Sequence, residues 1–178
     1  MLTITEALAE IKTIGKRVQK KREFIGQYSF RQEIVRDPLD NQGGSKAVIA
    51  AEFQSVRDLE ERLVTLRRAI AKANAEVMVT VGGTTRSIQD WLTWRREVAG
   101  NRKGAVLGML QAVQNFRAQR AKDGFNVRTE ASATPTDKDI IVNVDERALA
   151  VEAEELETVL GTLDGLLSLK NATTTMDV

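Results

Sequence analysis

Residues 45–74 read SKAVIAAEFQSVRDLEERLVTLRRAIAKAN, and the spacing of their apolar members decides the fold. Ile49, Val56, Leu63 and Ile70 recur every seven residues, and Leu59, Leu66 and Ala73 form a second series three positions later. Two such series share one side of an α-helix, and that side needs a second long helix to cover it. Arg57, Asp58, Glu60, Glu61, Arg62, Arg67 and Arg68 fill the flanks, as a solvated helix exterior requires. The spacing predicts a helix over about 45–74, with Ile49, Val56, Leu63 and Ile70 as its seam.

Upstream, residues 4–25 have the same period. Ile4, Ile11, Val18 and Ile25 recur every seven residues, Leu8 takes the offset position, and Thr3 or Thr5 is placed to cap the start. Residues 27–44 break the pattern: Asp37-Pro38 stops a helix and Asn41-Gln42-Gly43-Gly44 signals a turn, with a short extended piece expected around Phe30–Val35.

Downstream the period changes to two. Val77-Met78-Val79-Thr80-Val81, then Gly82-Gly83, then Thr84-Thr85-Arg86 predict a β-hairpin over about 76–86. Ser87, with Asp90 three residues on, opens a third helix over about 88–121, its stripe running through Ile88, Trp91, Leu92, Val98, Ala105, Val106, Met109, Val113 and Phe116. Gly100-Asn101 marks a place for a kink. Thr134-Pro135-Thr136-Asp137 lies between two extended stretches, predicting a second hairpin over about 125–144. Asp145 then caps a last helix over about 146–169, leaving a short polar tail. The whole predicts a mainly α (α+β) protein: a single elongated domain, 1–178, of long antiparallel helices with two small β-hairpins at helix ends.

Composition narrows the chemistry. The 178 residues include no cysteine, no histidine and two prolines, and only 4% are aromatic. A disulfide framework, a thiol nucleophile, a thiolate metal site and the usual neutral-pH base are thereby excluded. Neither Gly43-Gly44 nor Gly82-Gly83 belongs to a phosphate-binding loop, which needs a lysine at a strand–helix junction. Asp137, Asp139 and Asp145 read as turn and cap residues, and Glu152, Glu154, Glu155 and Glu157 as the wet face of a helix. No cofactor, metal or catalytic residue is expected, and no apolar run approaches the length of a membrane span.

The net charge of +1 conceals a segregation. Residues 86–122 hold eight basic and two acidic side chains, whereas residues 145–178 hold eight acidic and two basic. Segments of opposite sign are expected to pack on one another, within a subunit or between subunits. The basic run Lys16–Arg22, and Trp94-Arg95-Arg96 with Arg102-Lys103, make nucleic-acid binding through the basic third helix the alternative reading.

A set of short pieces runs along the chain: Glu6-Ala7-Leu8, Leu66-Arg67-Arg68-Ala69-Ile70-Ala71-Lys72-Ala73-Asn74, and Thr84-Thr85-Arg86-Ser87-Ile88-Gln89-Asp90-Trp91-Leu92. Val142-Asn143-Val144-Asp145, Leu163-Asp164-Gly165 and Asn171-Ala172-Thr173-Thr174 complete the set. Through these pieces the chain resembles the septicolysin-like family of small helical proteins of bacteria and tailed phages. The resemblance implies an elongated helical protomer that oligomerises and has no established enzymatic activity. The expectation is a non-enzymatic structural protein of a tailed-phage virion, assembled in the bacterial cytoplasm, that decorates, stabilises or connects. Its partners would be copies of itself and a capsid or neck protein, met through Gly82, Gly83, Trp94, Arg95 and Arg96. The alternative is a cytoplasmic oligomeric binding module.

Overall fold

The computed structural model describes residues 1–178, and the chain is mainly helical with three two-stranded sheets. It divides into two compact units: Met1–Val77 with Ser168–Val178, and Met78–Leu167. No helix is long and apolar enough to cross a membrane.

The first unit is built on two helices, α1 (Ile4–Tyr28) and α2 (Ser45–Glu76). Thr3 caps α1 with a reciprocal pair: its hydroxyl accepts from the Glu6 amide at 3.2 Å, and its own amide donates to Glu6 Oε2 at 2.8 Å. The Thr3 amide, with the Thr3 hydroxyl donating to the same Oε2 at 3.0 Å, holds the Glu6 carboxyl below its ordinary pKa. Ile4, Ala7, Ile11, Ile14 and Ile25 of α1 are buried with Val56, Leu66, Ile70 and Ala73 of α2. Leu8, expected on this face, is exposed. Ala7 and Ile14, themselves seven apart, take the offset position because the smaller Ala7 lets the helices approach. Glu10 grips Arg62 with two bonds, 2.8 and 3.2 Å, and Lys21–Glu52 and Arg22–Glu60 extend the antiparallel ladder.

Between these helices the expected extended piece at Phe30–Val35 does not form a strand. Arg31 instead donates to the Val35 carbonyl at 2.9 Å, closing a local turn, so the backbone there has no sheet partner. A short 3₁₀ turn, Asp40–Gln42, then leads through Gly43 and Gly44, both at positive φ, into α2.

The predicted polar tail is also more ordered than expected. The last helix continues to Thr173, and Thr175–Met176 pairs antiparallel with Leu2–Thr3, burying Met176. These strands, β1 (Leu2–Thr3) and β6 (Thr175–Met176), join the two termini; two residues each are too short to leave a period in the sequence.

The second unit begins with the expected hairpin, β2 (Met78–Val81) and β3 (Thr84–Ser87). Gly82 and Gly83 have φ of 55° and 76°, the left-handed pair that matches the twist of a two-residue hairpin loop. Ser87 caps α3 (Ile88–Thr93), accepting from the Asp90 amide at 3.0 Å. The helix does not break at Gly100. Trp94–Ala99 winds as a π-helix and leads directly into α4 (Gly100–Lys122).

That π turn corrects the stripe drawn through the third helix. In a regular helix Trp91, Val98, Ala105, Met109 and Phe116 would share one face. A π turn takes up an extra residue and rotates everything beyond it by about 100°. Ala99 and Val106 therefore point inward, whereas Val98, Ala105, Met109 and Phe116 are exposed.

The second expected hairpin is corrected too. β4 (Asn126–Arg128) and β5 (Asp139–Ile141) pair parallel, not antiparallel. A tight hairpin turn needs residues at positive φ, and none occurs between 125 and 144. The chain therefore crosses back and enters β5 in the same direction as β4. Asp139 secures this return by accepting from the Thr136 amide and hydroxyl, both at 2.8 Å, which lowers its pKa. Asp145 caps α5 (Glu146–Thr173), accepting from the Ala148 amide at 3.0 Å. Ala153, Leu156, Leu163 and Leu167 form the buried face of α5.

Candidate interaction surfaces

Each polar group singled out in the sequence has a structural position. In the first unit the seam residues divide by depth: Val56 and Ile70 are buried, Ile49 and Leu63 half-buried. Leu66, in the second series, has no exposure at all.

In the second unit Trp91 is fixed from three sides. Its indole nitrogen donates to the Val79 carbonyl at 2.9 Å, Trp94 meets its ring edge-on at 5.4 Å, and the Arg86 guanidinium lies 5.1 Å from its ring centre. Trp94 and Arg86 line a groove of about 240 Å³ with Gly82, Arg102, Glu152 and Glu155. Its floor is closely fitted: a Cβ on Gly82 would lie 3.2 Å from Val159 Cγ2, while one on Gly83 would meet nothing. The groove's charges engage one another, Arg102 Nε reaching Glu152 Oε1 at 2.5 Å.

That contact belongs to a series. Arg95 pairs with Asp164 at 2.8 Å, Lys103 with Glu157 at 3.2 Å, and Arg117 with Glu146 through two contacts, Nη1–Oε1 measuring 3.0 Å. Arg95 meets the later part of α5, Arg102 and Lys103 its middle and Arg117 its start, so the basic and acidic segments lie antiparallel within one unit. Exposed pairs of this kind add little stability each, but a row of four fixes orientation and register. Arg96 turns to its neighbour Glu97. Of the residues chosen as partner contacts, Gly82 is committed to the groove floor, Trp94 to Trp91 and Arg95 to Asp164, while Gly83 remains open at the hairpin tip.

A different surface has no periodic signal in the sequence. At the turn between α1 and α2, Phe30 is 91% exposed and Ile34 93%. The turn that carries them is held firmly. Asp37 accepts from the Ser45 hydroxyl at 2.5 Å, the Ser45 amide at 2.8 Å and the Leu39 amide at 2.9 Å, which together pull its pKa down to about 2. Arg36 bonds Asp40 at 2.9 Å. The signal for this surface was present as two large apolar residues in a segment with no helical or strand period. Comparison with family models, with curated proteins and with solved structures found no match to the chain.

Proposed function

We propose that this protein is a non-catalytic structural component of a tailed-phage virion, a decorating, stabilising or connecting protein that works by holding other chains. The observation that carries this reading is the outward display of Phe30 and Ile34 on a turn already fixed by Asp37, Arg31 and Arg36. Large apolar side chains on a preorganised loop are what a binding surface needs, because docking them costs little ordering entropy. The same side chains facing water serve no purpose in the fold of the free chain. The resemblance to the septicolysin-like family supplies the virion setting. The nucleic-acid alternative draws less support, since Arg95, Arg102, Lys103 and Arg117 are occupied by carboxylates of α5 that phosphate would have to displace.

The test is mass spectrometry of purified particles from the phage that encodes the chain. The protein is expected in the particle in many copies, and Phe30→Ser with Ile34→Ser is expected to lower its incorporation while leaving the purified protein folded. Particles wholly lacking the protein would refute the reading.

A further inference from the structure

The groove lined by the β2–β3 hairpin, the π turn, α4 and α5 holds two charges that no side chain neutralises. Arg102 and Glu152 pair with each other, but Arg86 and Glu155 take part in no ion pair and no side-chain hydrogen bond. The Arg86 guanidinium lies against the Trp91 ring, which leaves its N–H donors without a partner in the chain. The π turn shapes the wall beside them. Trp94 and Arg102 are eight residues apart, which in a regular helix would set them about 80° apart around the axis. By taking up one residue the π turn reduces that angle to about 20°, so both side chains line the groove. Such turns are rare and recur at functional sites.

We propose that this groove binds a free α-amino acid with an apolar side chain, its carboxylate on Arg86 and its ammonium on Glu155. The groove belongs to the second unit and Phe30 and Ile34 to the first, so an empty groove would leave the virion role untouched. Charge selects the ligand class. A guanidinium offers a planar fork that takes a carboxylate through two parallel bonds, and a carboxylate takes an ammonium. Arg86 and Arg102 against Glu152 and Glu155 make the groove neutral, and a zwitterion satisfies both free groups at once. A lone anion would meet Glu155 and a lone cation Arg86, each a like-charge contact with nothing to offset it. Size limits the choice further. A volume of about 240 Å³ falls below the roughly 300–1,000 Å³ that drug-sized ligands occupy, and it suits a molecule as small as an amino acid. The half-buried Trp94, with Leu156 and Val159, supplies the apolar surface for its side chain.

Isothermal titration calorimetry of the full chain with L-phenylalanine and L-leucine is the test. Beside them, 3-phenylpropionate and 2-phenylethylamine keep the phenyl ring but only one charge each. Saturable binding of at least one amino acid is expected, with each single-charge analogue weaker by about tenfold or more, the worth of one charge-assisted bond. Glu155→Gln, at an exposed position, should weaken the amino acid by about tenfold and leave 3-phenylpropionate unchanged or tighter. Arg86→Gln should weaken the amino acid as much and spare 2-phenylethylamine. Circular dichroism checks that the variants fold; should Arg86→Gln unfold, Arg86→Lys keeps the charge over Trp91, lacks only the fork, and serves in its place. No binding of either amino acid at millimolar concentration would overturn the site. Binding that survives both substitutions would overturn the groove as its location. A single-charge analogue that binds as tightly as the amino acid would overturn the zwitterion.

Discussion

Truncating two leucines three residues apart on α2 separates depth from pattern. Leu66 has no exposed surface and Leu63 is half-buried, although Leu63 belongs to the seam series that the heptad spacing favours. Leu66→Ala removes three buried carbons at about 0.8 kcal/mol each, roughly 2.4 kcal/mol of transfer energy. The cavity left between α1 and α2 raises the cost to about 3–4 kcal/mol. Leu63→Ala removes the same atoms from a site that already meets water, and half the transfer term with little cavity gives about 1–2 kcal/mol. At roughly 2–4 °C per kcal/mol for a chain of this size, the two variants should melt about 4–8 °C apart. Calorimetry with urea denaturation followed by far-UV circular dichroism measures both the gap and its sign. A Leu63→Ala variant that costs as much as Leu66→Ala would refute the assignment of Leu66 as the centre of this core.

Three further outcomes follow from local geometry. Because Asp37 titrates near 2 when folded, below its ordinary 3.8, its contribution to the α1–α2 turn is present above about pH 4 and lost as pH falls through 2. The Ser45 amide shift in NMR should titrate with a midpoint near 2, and a midpoint near 4 would dismiss the Asp37 contacts. Deleting Arg96, 73% exposed in the π turn, should convert Trp94–Ala99 to regular helix and keep α4 in register, so cooperative melting survives. The same deletion at Glu61 in α2 meets no π turn to absorb it and should abolish cooperative melting; equal effects would dismiss the phase argument. Gly82→Ala should destabilise more than Gly83→Ala, since both hold alanine in the left-handed region at a cost of roughly 1–2 kcal/mol but only the former crowds Val159. A double-mutant cycle with Val159→Ala should show coupling for Gly82 and none for Gly83.

What the sequence disclosed followed from how long each periodic signal runs. The α2 seam, the Gly82-Gly83 hairpin and the Ser87 and Asp145 caps were legible because each rests on several residues obeying one local rule. The π turn was not: Trp94–Ala99 contains no residue that forbids regular helix, so only the packing of Trp91 on one side and Val106 on the other selects the extra residue. The parallel pairing of β4 and β5 was hidden for a related reason. Turn residues at 134–137 announce a change of direction without fixing which way the chain returns, and the three-residue strands offer too few alternations to settle it. Phe30 and Ile34 carry no comparable signal, because an apolar residue outside any period obeys no local rule that fixes where it lies.

The segregation of charge joins these observations. Eight basic and two acidic side chains in residues 86–122 face the reverse balance in residues 145–178, and the pairs from Arg95, Arg102, Lys103 and Arg117 to α5 join the two segments. Placing those four cations toward α5 fixes the register of the two helices, which exposed pairs scattered around α4 would not do. The π turn works with this placement, since it rotates Ala105, Met109 and Phe116 away from the core that Trp91 helps to build and brings Val106 to the buried side. Phe116, so displaced, is partly covered by the Arg120 guanidinium, 5.5 Å from its ring centre. A charge imbalance between segments and a broken hydrophobic stripe, unrelated in the sequence, thus together decide which side of α4 meets α5.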